Sequence, residues 1–175
     1  PDILTVAKGI NSGYVPLGAM IVSEPIADQL RDRFLAGGLT YSGHPLAGGS
    51  AVARIEAFQE EGIVENAAEL GGYLADALPA LAAKHPSVGD VRSIGLFGLV
   101  ELVKDRKTME PLAPFNGSSP EMQALGKFFR EEGLYTFVRW NSFFTNPPLC
   151  ITEAELAEAF AIIDKGLYAT DKAIA

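Results

Sequence analysis

The sequence predicts an α/β region followed by a smaller α+β region, and three observations lead there. Short apolar runs alternate with helix-start signals across residues 1–61. The texture changes at Gly62. From residue 62 to 175, amphipathic helical spacing and pairs of β-like runs are mixed.

Residues 3–7 form a short apolar, β-rich run that stops at Lys8 and a loop containing Gly9, Asn11, Ser12 and Gly13. Residues 17–22 read as a second buried strand, and Ser23-Glu24-Pro25 then signals a helix start. An amphipathic helix is expected over 25–34, a loop through Thr40-Tyr41-Ser42-Gly43, and a helix of small residues from Pro45 to Gln59. The alternation predicts a parallel sheet for this part. In the second part, 63–84 carries helical spacing that ends before Pro86. Runs at 88–94 and 96–103 are strands separated by Gly95, and 104–117 is a polar loop. Ser119 caps a helix with Pro120 at its first position, running to Glu132. Residues 135–138 and 143–145 read as a strand pair. Thr152 and Glu155 form a capping box for a last helix with Leu156, Phe160, Ile163 and Leu167 on one face.

Composition narrows the function. The 175 residues hold 14 Lys and Arg against 22 Asp and Glu, a formal net charge of −8. That balance disfavours nucleic acid, which needs clustered cations, and attachment to anionic membranes. No segment reaches transmembrane length and no secretory leader is visible. The single cysteine, Cys150, suits a reducing cytoplasm and reads as a small buried hydrophobe. His44 and His85 stand apart without companion cysteines, so no metal site is expected. The chain opens on Pro1-Asp2 without a methionine and is expected to be a piece of a longer polypeptide.

Lys8 is the first chemical candidate. An apolar strand ending in a lysine and a small-residue loop sets an amine at the carboxyl edge of a sheet, where α/β folds bind ligands. Desolvation at such an edge favours the neutral, nucleophilic form of an amine. From position alone, a lysine at a strand end reaching water is the commoner case.

The surrounding words change that weighting. Pro1-Asp2-Ile3-Leu4-Thr5-Val6-Ala7-Lys8-Gly9-Ile10-Asn11-Ser12-Gly13 is followed by Pro16-Leu17-Gly18-Ala19, then by Thr40-Tyr41-Ser42-Gly43-His44-Pro45-Leu46-Ala47. Val91-Arg92-Ser93-Ile94-Gly95-Leu96-Phe97-Gly98 with Glu101-Leu102, and Asn146-Pro147-Pro148-Leu149-Cys150-Ile151-Thr152-Glu153, complete the series. In this order the words resemble the class III pyridoxal-phosphate-dependent aminotransferases of the omega type, nearly end to end. The resemblance implies fold type I, the aspartate-aminotransferase-like fold. Residues 1–61 would be the end of the large cofactor domain with its connecting helix, residues 62–175 the small C-terminal domain, and the active site would lie between them.

It also implies roles. Lys8 would carry pyridoxal 5′-phosphate as an internal aldimine and then shuttle a proton during amino transfer. The donor would be an amine or ω-amino acid, and the acceptor a keto acid such as pyruvate. Thr40 would bond the cofactor phosphate in the partner subunit's site, which implies a homodimer; otherwise it is a turn residue capping its own loop. Arg139 would grip a substrate carboxylate, although it stands nearer Pro147-Pro148 than the family's spacing; otherwise it is a surface arginine on a strand. Tyr41 and Trp140 read as packing residues, and Arg92 as framework. The family's acid for the pyridinium nitrogen, its phosphate loop and its ring-stacking aromatic would all precede Pro1, so these 175 residues alone are expected not to turn over. Two alternatives remain open at this point: another class III activity, such as an aminomutase or an ornithine- or 4-aminobutyrate-type transaminase, or a non-catalytic dimerising piece.

Overall fold

β1 (Ile3–Ala7) and β2 (Gly18–Val22) pair with each other from Ile3 opposite Val22 to Ala7 opposite Gly18. The computed structural model describes residues 1–172 and 174, and the chain divides into two units, Pro1–Gly62 and Ile63–Ala175.

In the first unit the β1–β2 ladder is antiparallel, not parallel as the alternation predicts. The connection is the reason. A parallel pair needs a crossover of a dozen or more residues, and the segment between Ala7 and Gly18 is too short to hold one. It contains a 3-10 turn, Lys8–Asn11, followed by Ser12 in the left-handed region. Both strands are also far more open than buried strands should be, with Ile3 54% and Met20 58% exposed. Two strands offer only two faces, and the unit's helices leave both largely uncovered. α1 spans Glu24–Leu30, ending before the expected Phe34, and α2 spans Pro45–Glu60 with Pro45 in its first turn. Ala47 and Ala51 of α2 are buried.

The second unit carries the larger core. α3 spans Ile63–Lys84 and buries Leu70, Leu74, Leu78 and Leu81 at helical spacing. β3 (Val88–Ile94), β4 (Phe97–Asp105), β7 (Ser142–Thr145) and β6 (Val138–Arg139) follow one another across an antiparallel sheet. A short β5 (Glu110–Pro111), inside the expected loop, pairs with the end of β4. α4 (Pro120–Glu131) is capped by Ser119, whose Oγ accepts from the Met122 N–H at 3.3 Å. α5 (Glu153–Asp171) starts in the expected capping box. Val100, Leu102, Leu125, Phe129, Phe143 and Leu167 meet in the core from sheet and helices together. The antiparallel strands and packed helices match the α+β texture read from the sequence.

Two close approaches explain glycines in this unit. A Cβ on Gly71 of α3 would lie 2.7 Å from the backbone of Gly95, which itself holds φ +52 in the β3–β4 turn. A Cβ on Gly166 of α5 would lie 2.7 Å from the Phe129 ring of α4. Among the described residues, no helix is long and apolar enough to cross a membrane.

Candidate active site

Lys8 follows directly from β1 and opens the 3-10 turn. Its φ is +52°, the left-handed region that a side chain other than glycine's rarely adopts. Such a conformation costs on the order of 1 kcal/mol or more and lasts only where its surroundings enforce it. The side chain borders a cavity of about 900 Å³ within the first unit. Pro16, Leu17, Tyr41, Ser42 and His44 share that lining, and among the described residues no Asp or Glu does. The volume accommodates a ring bearing a phosphate.

The desolvation expected at Lys8 is not supplied by this unit, since the residue is exposed. Thr40 lies in the turn between Leu39 and Tyr41, which both line the cavity, while Thr40 itself is exposed and outside the lining. Tyr41, read as a packing residue, is 79% exposed and on the cavity wall, its ring 6.1 Å from that of His44.

Arg139 ends β6 in the second unit and is exposed. Its guanidinium lies over the Trp140 ring, 4.2 Å from the centroid, with Trp140 at φ +55°. Arg139 also borders a polar cleft with Lys127 and Arg130 of α4, Gln123 and Ser118. Cations therefore dominate this recess in an otherwise acidic chain, which suits an acid-bearing ligand.

Two clusters carried no signal in the sequence reading. Asn11 is wholly buried and hydrogen-bonded to three residues of its own unit. His85, at the end of α3, is also wholly buried: Nδ1 lies 2.7 Å from Asp171 Oδ2 and Nε2 lies 2.9 Å from Asp164 Oδ1. Ser87 Oγ donates to Asp171 Oδ1 at 2.7 Å, and Lys84 pairs with Asp164. The partners are about eighty positions apart, so no local pattern announces them. Burial disfavours the charge on Asp164, but the hydrogen bonds from Lys84 and His85 outweigh it and hold that carboxyl below its usual range. Cys150 is exposed rather than buried. Arg92, 61% exposed at its side chain, bridges Asp90 at 2.8 Å and Glu101 at 2.9 Å. Among the described residues, no group of three or more His, Cys, Asp or Glu is arranged to hold a metal ion.

Comparison with known proteins agrees with the resemblance read from the motifs. The family model for class III aminotransferases matches residues 1–167. The taurine–pyruvate aminotransferase of Bilophila wadsworthia is 35% identical over 185 residues, covering 98% of this chain and 40% of that protein. The putrescine–pyruvate aminotransferase of Pseudomonas aeruginosa is 35% identical over 177 residues, covering 99% and 38%. Among solved structures, the taurine:2-oxoglutarate aminotransferase of Bifidobacterium kashiwanohense, in complex with pyridoxal phosphate and glutamate, superposes with a TM-score of 0.89 at 37% identity, over 100% of this chain and 39% of that one. An amine transaminase from an uncultivated Pseudomonas species, in its pyridoxal-phosphate-bound form, gives 0.85 at 32% identity, over 96% and 38%. The chain spans about 40% of the length of the first of these relatives. With the match running over nearly its whole length and the fold following these transaminases, the chain belongs to the class III aminotransferases.

Proposed function

We propose that this chain provides the cofactor-bearing lysine of a pyridoxal-phosphate-dependent aminotransferase, which moves an amino group from an amine or ω-amino acid to a keto acid such as pyruvate. The observation that carries the reading is Lys8 itself: an amine on a left-handed backbone at the end of β1, bordering a cavity free of carboxylates. An anionic, phosphate-bearing aldehyde fits that lining better than a cation does. The pyruvate acceptor is supported by two relatives named for it, acting on taurine and on putrescine.

When bound, pyridoxal phosphate supplies an aldehyde and a ring that withdraws the electrons left when a proton departs from the substrate carbon. Lys8 would hold the cofactor through Nζ, and the same nitrogen, when free, would carry the substrate proton away and return it. Thr40 offers a hydroxyl and an N–H to the phosphate in the site of a partner subunit, so the working protein is a homodimer. Arg139 takes the acid group of the substrate through its planar fork. The resemblance places the acid for the pyridinium nitrogen outside these 175 residues, and on that reading they would not turn over alone.

The test is a donor screen on the complete polypeptide with pyruvate and 2-oxoglutarate as acceptors. Alanine formation from amine or ω-amino acid donors, abolished in Lys8→Ala, is expected. No amino transfer from any donor, at saturating cofactor, contradicts the reading. In Arg139→Ala, KM for acid-bearing donors should rise about tenfold, the loss of one charge-assisted pair. KM for plain amines should stay within twofold.

A further inference from the structure

Four exposed residues around Asn11 (Lys8, Gly9, Ser12 and Gly13) contrast with its own complete burial. The Asn11 carboxamide donates to the Val15 carbonyl at 2.9 Å and to the Ala47 carbonyl of α2 at 3.4 Å, and its Oδ1 accepts from Ser50 Oγ at 2.7 Å. Turning the amide over would set its oxygen against two carbonyl oxygens, so the chemistry allows one orientation. Ala47, Ser50 and Arg54 share one face of α2, and Arg54 Nε extends the seam by donating to Ser12 Oγ at 3.2 Å.

The seam closes a loop that is strained at both ends, with Lys8 at φ +52° and Ser12 at φ +47°. No glycine relieves either position. A buried amide hydrogen-bonded to both the loop and α2 is a demanding way to fill space, because each unmet polar atom there is penalised. What it fixes is direction. We infer that Asn11 is a positioning residue for Lys8: clamped between Val15, Ala47 and Ser50, it holds the left-handed turn that aims the lysine amine into the cavity. The inference rests on the proposed role of Lys8 but concerns a residue to which that role assigns nothing.

Asn11→Ala removes the clamp, Ser50→Ala removes one strand of it, and Ser50→Thr keeps the hydroxyl. Two readouts are taken on the complete polypeptide. The first is amide hydrogen exchange of residues 9–15 without cofactor. The second is the pyridoxal phosphate concentration at half-saturation, followed by absorbance. Asn11→Ala is expected to speed exchange of residues 9–15 at least tenfold and leave the second unit unchanged. It should also raise the half-saturating concentration about tenfold. Ser50→Ala should show both effects in smaller degree, and Ser50→Thr should restore wild-type values. If Asn11→Ala does not fold, the Ser50 pair decides alone.

A lower melting temperature with half-saturation within twofold of wild type would make Asn11 a packing residue only and overturn the inference. Should wild-type protein fail to bind pyridoxal phosphate at all, the function proposed above is what fails. The clamp is then judged by exchange, and unchanged protection of residues 9–15 in Asn11→Ala overturns it.

Discussion

At Lys8 the backbone carries a conformation that lysine avoids, and the side chain borders a cavity free of carboxylates. The residue was legible through the motif around it, which resembles the family's lysine motif; from its place at a strand end alone, a lysine reaching water was the commoner reading. Its left-handed φ was invisible, since no glycine marks the spot. Asn11 was equally hidden. An asparagine in a loop reads as a turn former, and only the tertiary contact with Ala47 and Ser50 makes it a buried clamp. His85 was read as an isolated histidine, yet its ring bridges two aspartates of α5 that are remote in sequence. Removing that wholly buried ring leaves a void and takes one hydrogen-bond partner from each of two half-buried carboxylates, which keep Lys84 and Ser87. His85→Ala should therefore lower the unfolding free energy by about 2 kcal/mol, read as a lower denaturant midpoint at unchanged m-value. A loss below about 0.5 kcal/mol would mean that the cluster contributes little.

Among the elements, helices were the most legible. α3 runs over the residues its spacing predicts, and α5 begins in the capping box read from Thr152 and Glu155. Those signals are local, so the sequence contains them whole. The Thr152 hydroxyl accepts from the Glu155 N–H at 3.3 Å while Glu155 reaches back to the Thr152 N–H at 2.8 Å. Thr152→Ala should cost about 1 kcal/mol, measurable by thermal unfolding. Strand pairing was less legible, because partners are chosen by connection length and by what covers the faces. β1 and β2 were read as members of a parallel sheet and instead form an open antiparallel pair. Gly71 belongs to this scale too. Its α-carbon passes so near the Gly95 backbone that a methyl group cannot fit. Gly71→Ala should destabilise by about 1–3 kcal/mol despite raising helix propensity, because the clash is with backbone that cannot swing aside.

For the whole molecule, acid stability follows from the α3–α5 cluster. Asp164 has a folded value below its ordinary 3.8. A group depressed in this way contributes stability in full above the unfolded value, and the contribution is lost as pH falls through the folded one. Unfolding followed from pH 7 downward should show this loss below about pH 4, and Asp164→Asn should flatten that limb of the curve. Glu155, held low chiefly by the Thr152 N–H and then its hydroxyl, adds in the same direction. An identical acid limb in Asp164→Asn and wild type would assign acid sensitivity elsewhere.

The proposed function requires the cofactor to join the nitrogen at position eight. Borohydride reduction of the complete polypeptide with pyridoxal phosphate, followed by proteolysis and mass mapping, measures this most directly. A reduced pyridoxyl group on the peptide carrying Lys8, and on no other lysine at stoichiometric cofactor, is the expected outcome. A modified protein whose Lys8 peptide is untouched would contradict it.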